Sequence, residues 1–207
     1  MAFYPGAHFL IMHRIQRLLQ AFSGVILFSF VILFIPVSVQ ASGERIANLV
    51  VQIKNSDILV SANLIRGFSQ TTEEDIRNGI PKDLYYYILL TRHQPLWFDE
   101  EMLSKTIKYT VKYDLLKKQF VVTRRENSAV QQEILEDFVA MKRLISTINN
   151  VKITTIQALN DQDTYYVSIK AEMKAAKLPF YLDYFLFFIP FLEVDTPWAH
   201  SGPLYRE

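Results

Sequence analysis

TIKYTVKYD, residues Thr106–Asp114, puts Ile107, Tyr109, Val111 and Tyr113 on one side of an extended chain and Thr106, Lys108, Thr110, Lys112 and Asp114 on the other. A period of two is the mark of a strand with one face buried and one in water. Tyr165, Val167, Ile169, Ala171 and Met173 alternate in the same way with Tyr166, Ser168, Lys170, Glu172 and Lys174. The fold is therefore built mainly of strands. Outward from this pair, Ile46–Lys54 and Ile58–Arg66 read as a hairpin closed by Asn55-Ser56-Asp57, and Gln119–Arg125 pairs back on Thr106–Asp114. LYYYILLT (Leu84–Thr91) is apolar on both sides and reads as a central strand covered on both faces. Val151–Gln157 leads through Asn160-Asp161-Gln162-Asp163 into the Tyr165 strand, which makes seven strands, mostly in sequential hairpins.

Two helices interrupt them. Thr71 and Glu74 have capping-box spacing, and Gly79 and Pro81 follow, which predicts a short helix over Thr72–Asn78. A longer amphipathic helix is predicted from Ser128 to Asn149, with Val130, Ile134, Phe138, Met141, Ile145 and Ile148 on its apolar stripe. The fold class expected is mainly β with one long helix: an antiparallel β-sandwich, or a sheet with the amphipathic helix packed on it, preceded by an N-terminal apolar signal or anchor helix.

That N-terminal segment sets the domain plan. Residues 1–41 hold only Arg14 and Arg17 as charges, and Ala21–Val39 runs 19 residues with none. Basic residues before an apolar run direct the remainder of the chain across a membrane. Val39-Gln40-Ala41 has the small residues of a signal-peptidase site, so 1–41 is either a cleaved signal peptide or a membrane anchor, and 42–207 is one β-rich envelope domain. The protein is expected to be exported across the inner membrane, periplasmic or anchored by residues 21–39.

Composition narrows the function by exclusion. The chain has 22 basic and 21 acidic residues and no cysteine, which disfavours a nucleic-acid binder and removes lipoprotein anchoring, disulfides and thiolate metal sites. No H-E-x-x-H, no G-x-S-x-G and no glycine-rich phosphate loop occurs, so no catalytic residue, cofactor or metal is assigned and the chain is read as non-enzymatic. Asn160–Asp163 reads as a turn rather than a calcium loop, and His93 as an exposed strand-end residue. Two features stand out. Lys105, Lys108, Lys112, Lys117, Lys118, Arg124 and Arg125 gather on one hairpin, read as a basic face suited to anionic lipid or an acidic partner. Leu178–Leu192 packs seven of the 21 aromatics that follow Ala41 into 15 residues, and serves either as a cap on the β-core or as an apolar contact surface.

Several short blocks carry a family resemblance: Trp97-Phe98-Asp99, Val111-Lys112-Tyr113-Asp114, Thr123-Arg124, Leu178-Pro179-Phe180 and Asp195-Thr196-Pro197-Trp198. In this order the chain resembles the bacterial exported domain-of-unknown-function 4390 family over roughly Ile46–Trp198. The resemblance implies an envelope protein, transfers no catalytic residue, and hints at association with membrane sensor proteins. Leu96 stands where members often carry a second aromatic, and Trp97 and Trp198 are expected to plug the ends of the sheet.

The reading that results is an exported, non-catalytic domain binding an envelope protein partner or the membrane surface, with Phe185, Phe187, Phe188, Lys108, Lys112 and Trp97 as contact residues. The alternatives are a carrier of an apolar ligand or lipid held between the strands and the Ser128–Asn149 helix, and an unrecognised hydrolase using His93 with Asp99.

Overall fold

The computed structural model describes residues 43–176 and 193–204. The chain divides into two compact units, Met1–Ala41 and Ser42–Glu207, and all the described residues belong to the second. Its elements in order are β1 (Arg45–Lys54), β2 (Asp57–Ile65), α1 (Gln70–Arg77), β3 (Lys82–His93), β4 (Glu100–Asp114), β5 (Gln119–Glu126), β6 (Ala129–Leu135), α2 (Phe138–Ser146), β7 (Thr147–Thr155), β8 (Thr164–Ala175), β9 (Val194–Asp195) and β10 (Ala199–His200). The strands form two antiparallel sheets, a small one ordered β1-β2-β7 and a large one ordered β10-β8-β3-β4-β5-β6, with β9 also paired to β8.

The alternation along β4 decides which side of the large sheet is dry. Ile107, Tyr109 and Val111 of β4 are buried, and so are Tyr86 and Leu84 opposite the first two on β3 and Ala171 and Met173 beyond them on β8. Val60, Ala62 and Leu64 of β2 and Phe138, Met141 and Ile145 of α2 join the same core cluster. Each fully buried aliphatic side chain contributes about 1.5–3 kcal/mol. Leu84–Thr91 is central, as expected, with β4 on one side and β8 on the other. Its second face is only half covered, however. Tyr85 and Tyr87 stack there with ring centroids 6.1 Å apart, and Lys108 and Lys174 lie over the Tyr85 ring. An apolar run thus marks a central strand without requiring a second layer, because long amphipathic side chains cover it instead.

The Ser128–Asn149 helix does not exist as one element. Its first part is strand β6, paired to β5 from Phe120↔Leu135 to Glu126↔Ala129; only Phe138–Ser146 is helical; and the last part is β7. Val130 and Ile134 are four residues apart, a spacing that fits both one face of a helix and one face of a strand, so the stripe could not separate the two. Asp137 caps α2 by accepting from the Ala140 N–H at 2.8 Å, which starts the helix ten residues later than expected and restricts its buried stripe to Phe138, Met141 and Ile145. Helix α1 is likewise capped by Ser69, which accepts from the Thr72 N–H at 3.1 Å, rather than by Thr71 with Glu74. Gly79 takes φ +85, the left-handed position expected of it.

The hairpin order also departs from expectation after β6. β7 leaves the large sheet to pair with β2, and β8 returns to pair with β3 along its whole length, Lys82↔Ala175 to His93↔Thr164.

Candidate interaction surface

The turns at the two ends of β4 present exposed apolar side chains in opposite electrostatic settings. Fourteen steps of strand separate Glu100 from Asp114, about 45 Å.

At the β4–β5 end, the sequence Asp114-Leu115-Leu116-Lys117-Lys118 turns the chain over. The Asp114 carboxylate accepts the N–H groups of Leu116 at 3.0 Å and Lys117 at 3.1 Å, and Lys118 sits at φ +54. The Lys117 N–H first, then that of Leu116 and the Lys117 and Lys112 ammoniums, hold Asp114 below the usual carboxylate range. With the turn locked, Leu115 is 60% and Leu116 95% exposed. Leu115 rests beside Gly79, where an added Cβ would lie 3.3 Å from its Cδ1. Lys112, Lys117 and Lys118 make no ion pair among the described residues.

The rest of the expected basic face is dispersed. Lys108 pairs with Asp83 at 2.7 Å; burial lowers its pKa, but Asp83 and Tyr85 outweigh this and the net shift is upward. Lys105 binds Glu126 at 2.6 Å, and Arg124 also pairs with Glu126. Lys105 and Arg124 occupy the register of the buried row, the opposite side of the sheet from Lys108 and Lys112, because Lys105 lies an odd number of residues from both lysines and Arg124 stands opposite Tyr109. Of the predicted pair Lys108 and Lys112, only Lys112 remains a free charge among the described residues.

Phe185, Phe187 and Phe188 lie outside the described residues, but both attachments of their segment are at this same end. The Ala176 N–H donates to the Pro81 carbonyl at 2.9 Å and the Glu193 N–H to the Met173 carbonyl at 2.8 Å. Between them Lys82, 1% exposed, pairs with Asp75 of α1 at 2.6 Å and with Glu193. Lys82 faces Val111, three residues from the turn. The start of the domain converges here as well: Arg45 pairs with Ile65, and the nearby Phe68 ring meets Phe138, which meets Phe120, which meets Tyr113.

At the other end, His93-Gln94-Pro95-Leu96-Trp97-Phe98-Asp99 forms an aromatic knuckle. Asp99 staples it, accepting from the Gln94 N–H at 3.0 Å, the Tyr166 hydroxyl at 2.7 Å and His93 Nδ1 at 2.9 Å. The Gln94 N–H and then Tyr166 hold Asp99 below the usual range, while the same contact raises Tyr166. Trp97 is 76% exposed and Leu96 and Phe98 more so; Trp198 is also partly exposed. Trp97 does not plug the sheet: the turn carries it past the last core residue, out into solvent. Glu100 and Asp163 flank this end, both paired to Arg92. In the Asn160–Asp163 turn the Asn160 side chain accepts the Gln162 N–H at 3.1 Å.

Two cavities bear on the alternative functions. His93 and Asp99 do come together, beside a cleft of about 420 Å³ lined by Tyr166, His200 and Ser201, yet no hydroxyl among the described residues bonds to His93. A groove of about 660 Å³ runs between β6 and α2–β7, walled by Gln131, Leu135, Arg143 and Leu144, close to where the ligand-carrier reading placed its space. No group of three His, Asp or Glu side chains among the described residues could hold a metal, and no described helix is long and apolar enough to cross a membrane. Sequence reading missed the Leu115–Leu116 tip, although two leucines between strand-forming segments and beside two lysines were visible as a turn too apolar for its position.

No curated protein and no solved structure matches the chain. The model of the family described as domain of unknown function (DUF4390) matches residues 41–201, and the chain belongs to that family.

Proposed function

We propose that this member of the DUF4390 family is an exported envelope domain, its two sheets stacked as a sandwich, that lies on an anionic membrane face through the β4–β5 tip. Residues 21–39 act as its signal or anchor. The observation that carries this reading is the pair of exposed leucines, Leu115 and Leu116, locked outward among the unpaired Lys112, Lys117 and Lys118. Burying two leucines is worth about 1.5–3 kcal/mol each, and each lysine near an anionic surface about 1 kcal/mol. Association costs several kcal/mol, so the tip alone binds weakly and needs a second attachment. Ala176 and Glu193, the described residues that flank the aromatic segment, lie at this same end, and Phe185, Phe187 and Phe188 are assigned as that second attachment.

The test compares two equally exposed positions at opposite ends. Because the chain has no cysteine, Leu116→Cys and Leu96→Cys can each carry a single polarity-sensitive fluorophore in the full chain, reconstituted in phosphatidylglycerol-rich vesicles containing quencher lipids. Quenching at position 116 and not at 96 is expected; equal quenching at both, or none at 116, refutes the reading.

A second reading adds to the first. The knuckle Leu96–Phe98 is strongly apolar but flanked by carboxylates, a combination that suits a protein surface carrying basic and apolar groups better than anionic lipid. This is the face assigned to an envelope protein partner. Replacing Trp97 with Ala should abolish its crosslinking to that partner without changing vesicle quenching at position 116.

A further inference from the structure

β6 is an edge strand with little of the usual protection, its one charge being Glu133 on the row that faces the core side. Edge strands are blunted by bulges, lysines, proline or shortness, since their unpaired backbone groups invite another strand. Three of the edges follow that rule: β1 breaks register between Ala47 and Val50, β7 shifts register twice against β2, and β10 has two residues. β6 is seven residues, AVQQEIL, in unbroken register with β5, with no lysine and no proline. Val130 and Ile134, on its face away from the core, are 57% and 55% exposed. An open groove runs alongside β6, and among the described residues no strand pairs with its outer edge.

The order of side chains on β6 names the occupant. In an antiparallel pair, facing residues point to the same side, so a symmetric pairing of two identical strands can shift only in steps that keep faces matched. Centring the pair on Gln132 sets Val130 against Ile134 and Ile134 against Val130, with the two Gln132 amides facing each other between them. On the other face Gln131 meets Glu133, an amide donor to a carboxylate, and Ala129 meets Leu135. The neighbouring registers lose this: centring on Gln131 sets Val130 against Gln132, and centring on Glu133 opposes two carboxylates. We propose that β6 pairs antiparallel with β6 of a second copy of this chain, centred on Gln132, joining two large sheets into one through a two-fold interface. Cross-strand apolar pairs and the absence of like charges in that register hold it together.

The native chain has no cysteine, which makes the register directly readable. Directly opposed residues have Cα atoms about 4.5–5.5 Å apart, within disulfide reach, whereas Gln131 and its own copy would be separated by about 8 Å. In the full chain, in membranes of expressing cells, mild oxidation should crosslink Gln132→Cys into a dimer but leave Gln131→Cys and Val130→Cys monomeric. Co-expressed Val130→Cys and Ile134→Cys should crosslink to each other. Equal crosslinking of Gln131→Cys and Gln132→Cys, or none for Gln132→Cys, overturns the proposal. Independently, Val130→Lys with Ile134→Lys opposes lysines at both apolar pairs, at exposed positions the fold does not depend on. In detergent, at a dilution where both proteins are monomeric, this variant should keep the parent's melting behaviour, while its dimer dissociation constant rises by about tenfold or more; an unchanged constant overturns the proposal.

Discussion

Replacing Lys82 by Met tests how the end of the domain that carries the aromatic segment is held. Lys82 lies on the buried face of β3, in register with Val111 and Ala175, and its ammonium is shared by Asp75 and Glu193. Methionine matches the length and volume of the stem, so packing changes little. What changes is that two carboxylates, Glu193 with 13% and Asp75 with 28% of its side chain exposed, lose their cation together. Breaking a buried pair from one side costs about 3–5 kcal/mol, and the partial exposure of both acids places this case near the lower figure, about 3 kcal/mol. For a domain of this size that is a fall in melting temperature of roughly 6–12 °C. The assay is thermal unfolding by circular dichroism of the full chain in mild detergent, run beside Glu193→Gln and the double variant. The double variant should lose less than the sum of the singles, because removing Glu193's charge relieves part of what Lys82→Met leaves stranded. A loss under about 1 kcal/mol for Lys82→Met, or strict additivity, would refute the argument that the triad is desolvated and coupled.

Tyr86→Phe removes the 2.7 Å bond from the hydroxyl to the Ile145 carbonyl inside the core and should cost about 1–2 kcal/mol in chemical denaturation. Burial first, then Tyr109, pushes the Tyr86 hydroxyl well above its ordinary range; its stabilisation is therefore complete below the free tyrosine value near pH 10 and lost as pH rises beyond it. The Phe variant should lose stability less steeply than the parent between pH 10 and 11. Asp99→Ala should open the knuckle, seen as faster chymotryptic cleavage after Trp97 and Phe98 with an unchanged melting temperature. In the parent, the protection factor of the Gln94 amide, its exchange relative to the free-chain rate at the same pH, should hold from pH 7 down to about pH 4 and fall below it, because a depressed carboxylate keeps its contribution above the free value and loses it as pH falls. Asp114→Ala should loosen the tip and lower fluorophore quenching at position 116 in anionic vesicles, leaving global stability nearly untouched.

Where one period dominated, the fold was legible in residue order. Ile107, Tyr109 and Val111, or Val167, Ile169 and Ala171, alternate without exception, and the structure buries every one. Ser128–Asn149 failed because Val130 and Ile134 satisfy two periods at once and because Asp137, the cap that divides the segment, follows a strand rather than a turn. The destination of β7 was not readable at all: which sheet a strand joins is decided by partners such as Val60 and Ala62, far away in sequence. At the candidate surface, Lys112 and Trp97 could be named as exposed, but the pairing of Lys108 with Asp83 depends on register across β3 and β4. The same holds for Lys82 and Glu193, which are 111 residues apart.

The placement of β3 sets an order of folding. Its β4 edge is satisfied by a neighbour only a short turn away, but its other edge waits for β8, which begins 71 residues after β3 ends. Local hairpins close within microseconds, whereas pairing across such a separation must first bear the entropy of closing a long loop. A chain released N-terminus first therefore carries an open, tyrosine-rich β3 edge until Ala175 has emerged. The interval before β8 docks is when this protein is most exposed to aggregation or to a holding chaperone, and truncations ending before β8 should be degraded rather than accumulate as shortened domains.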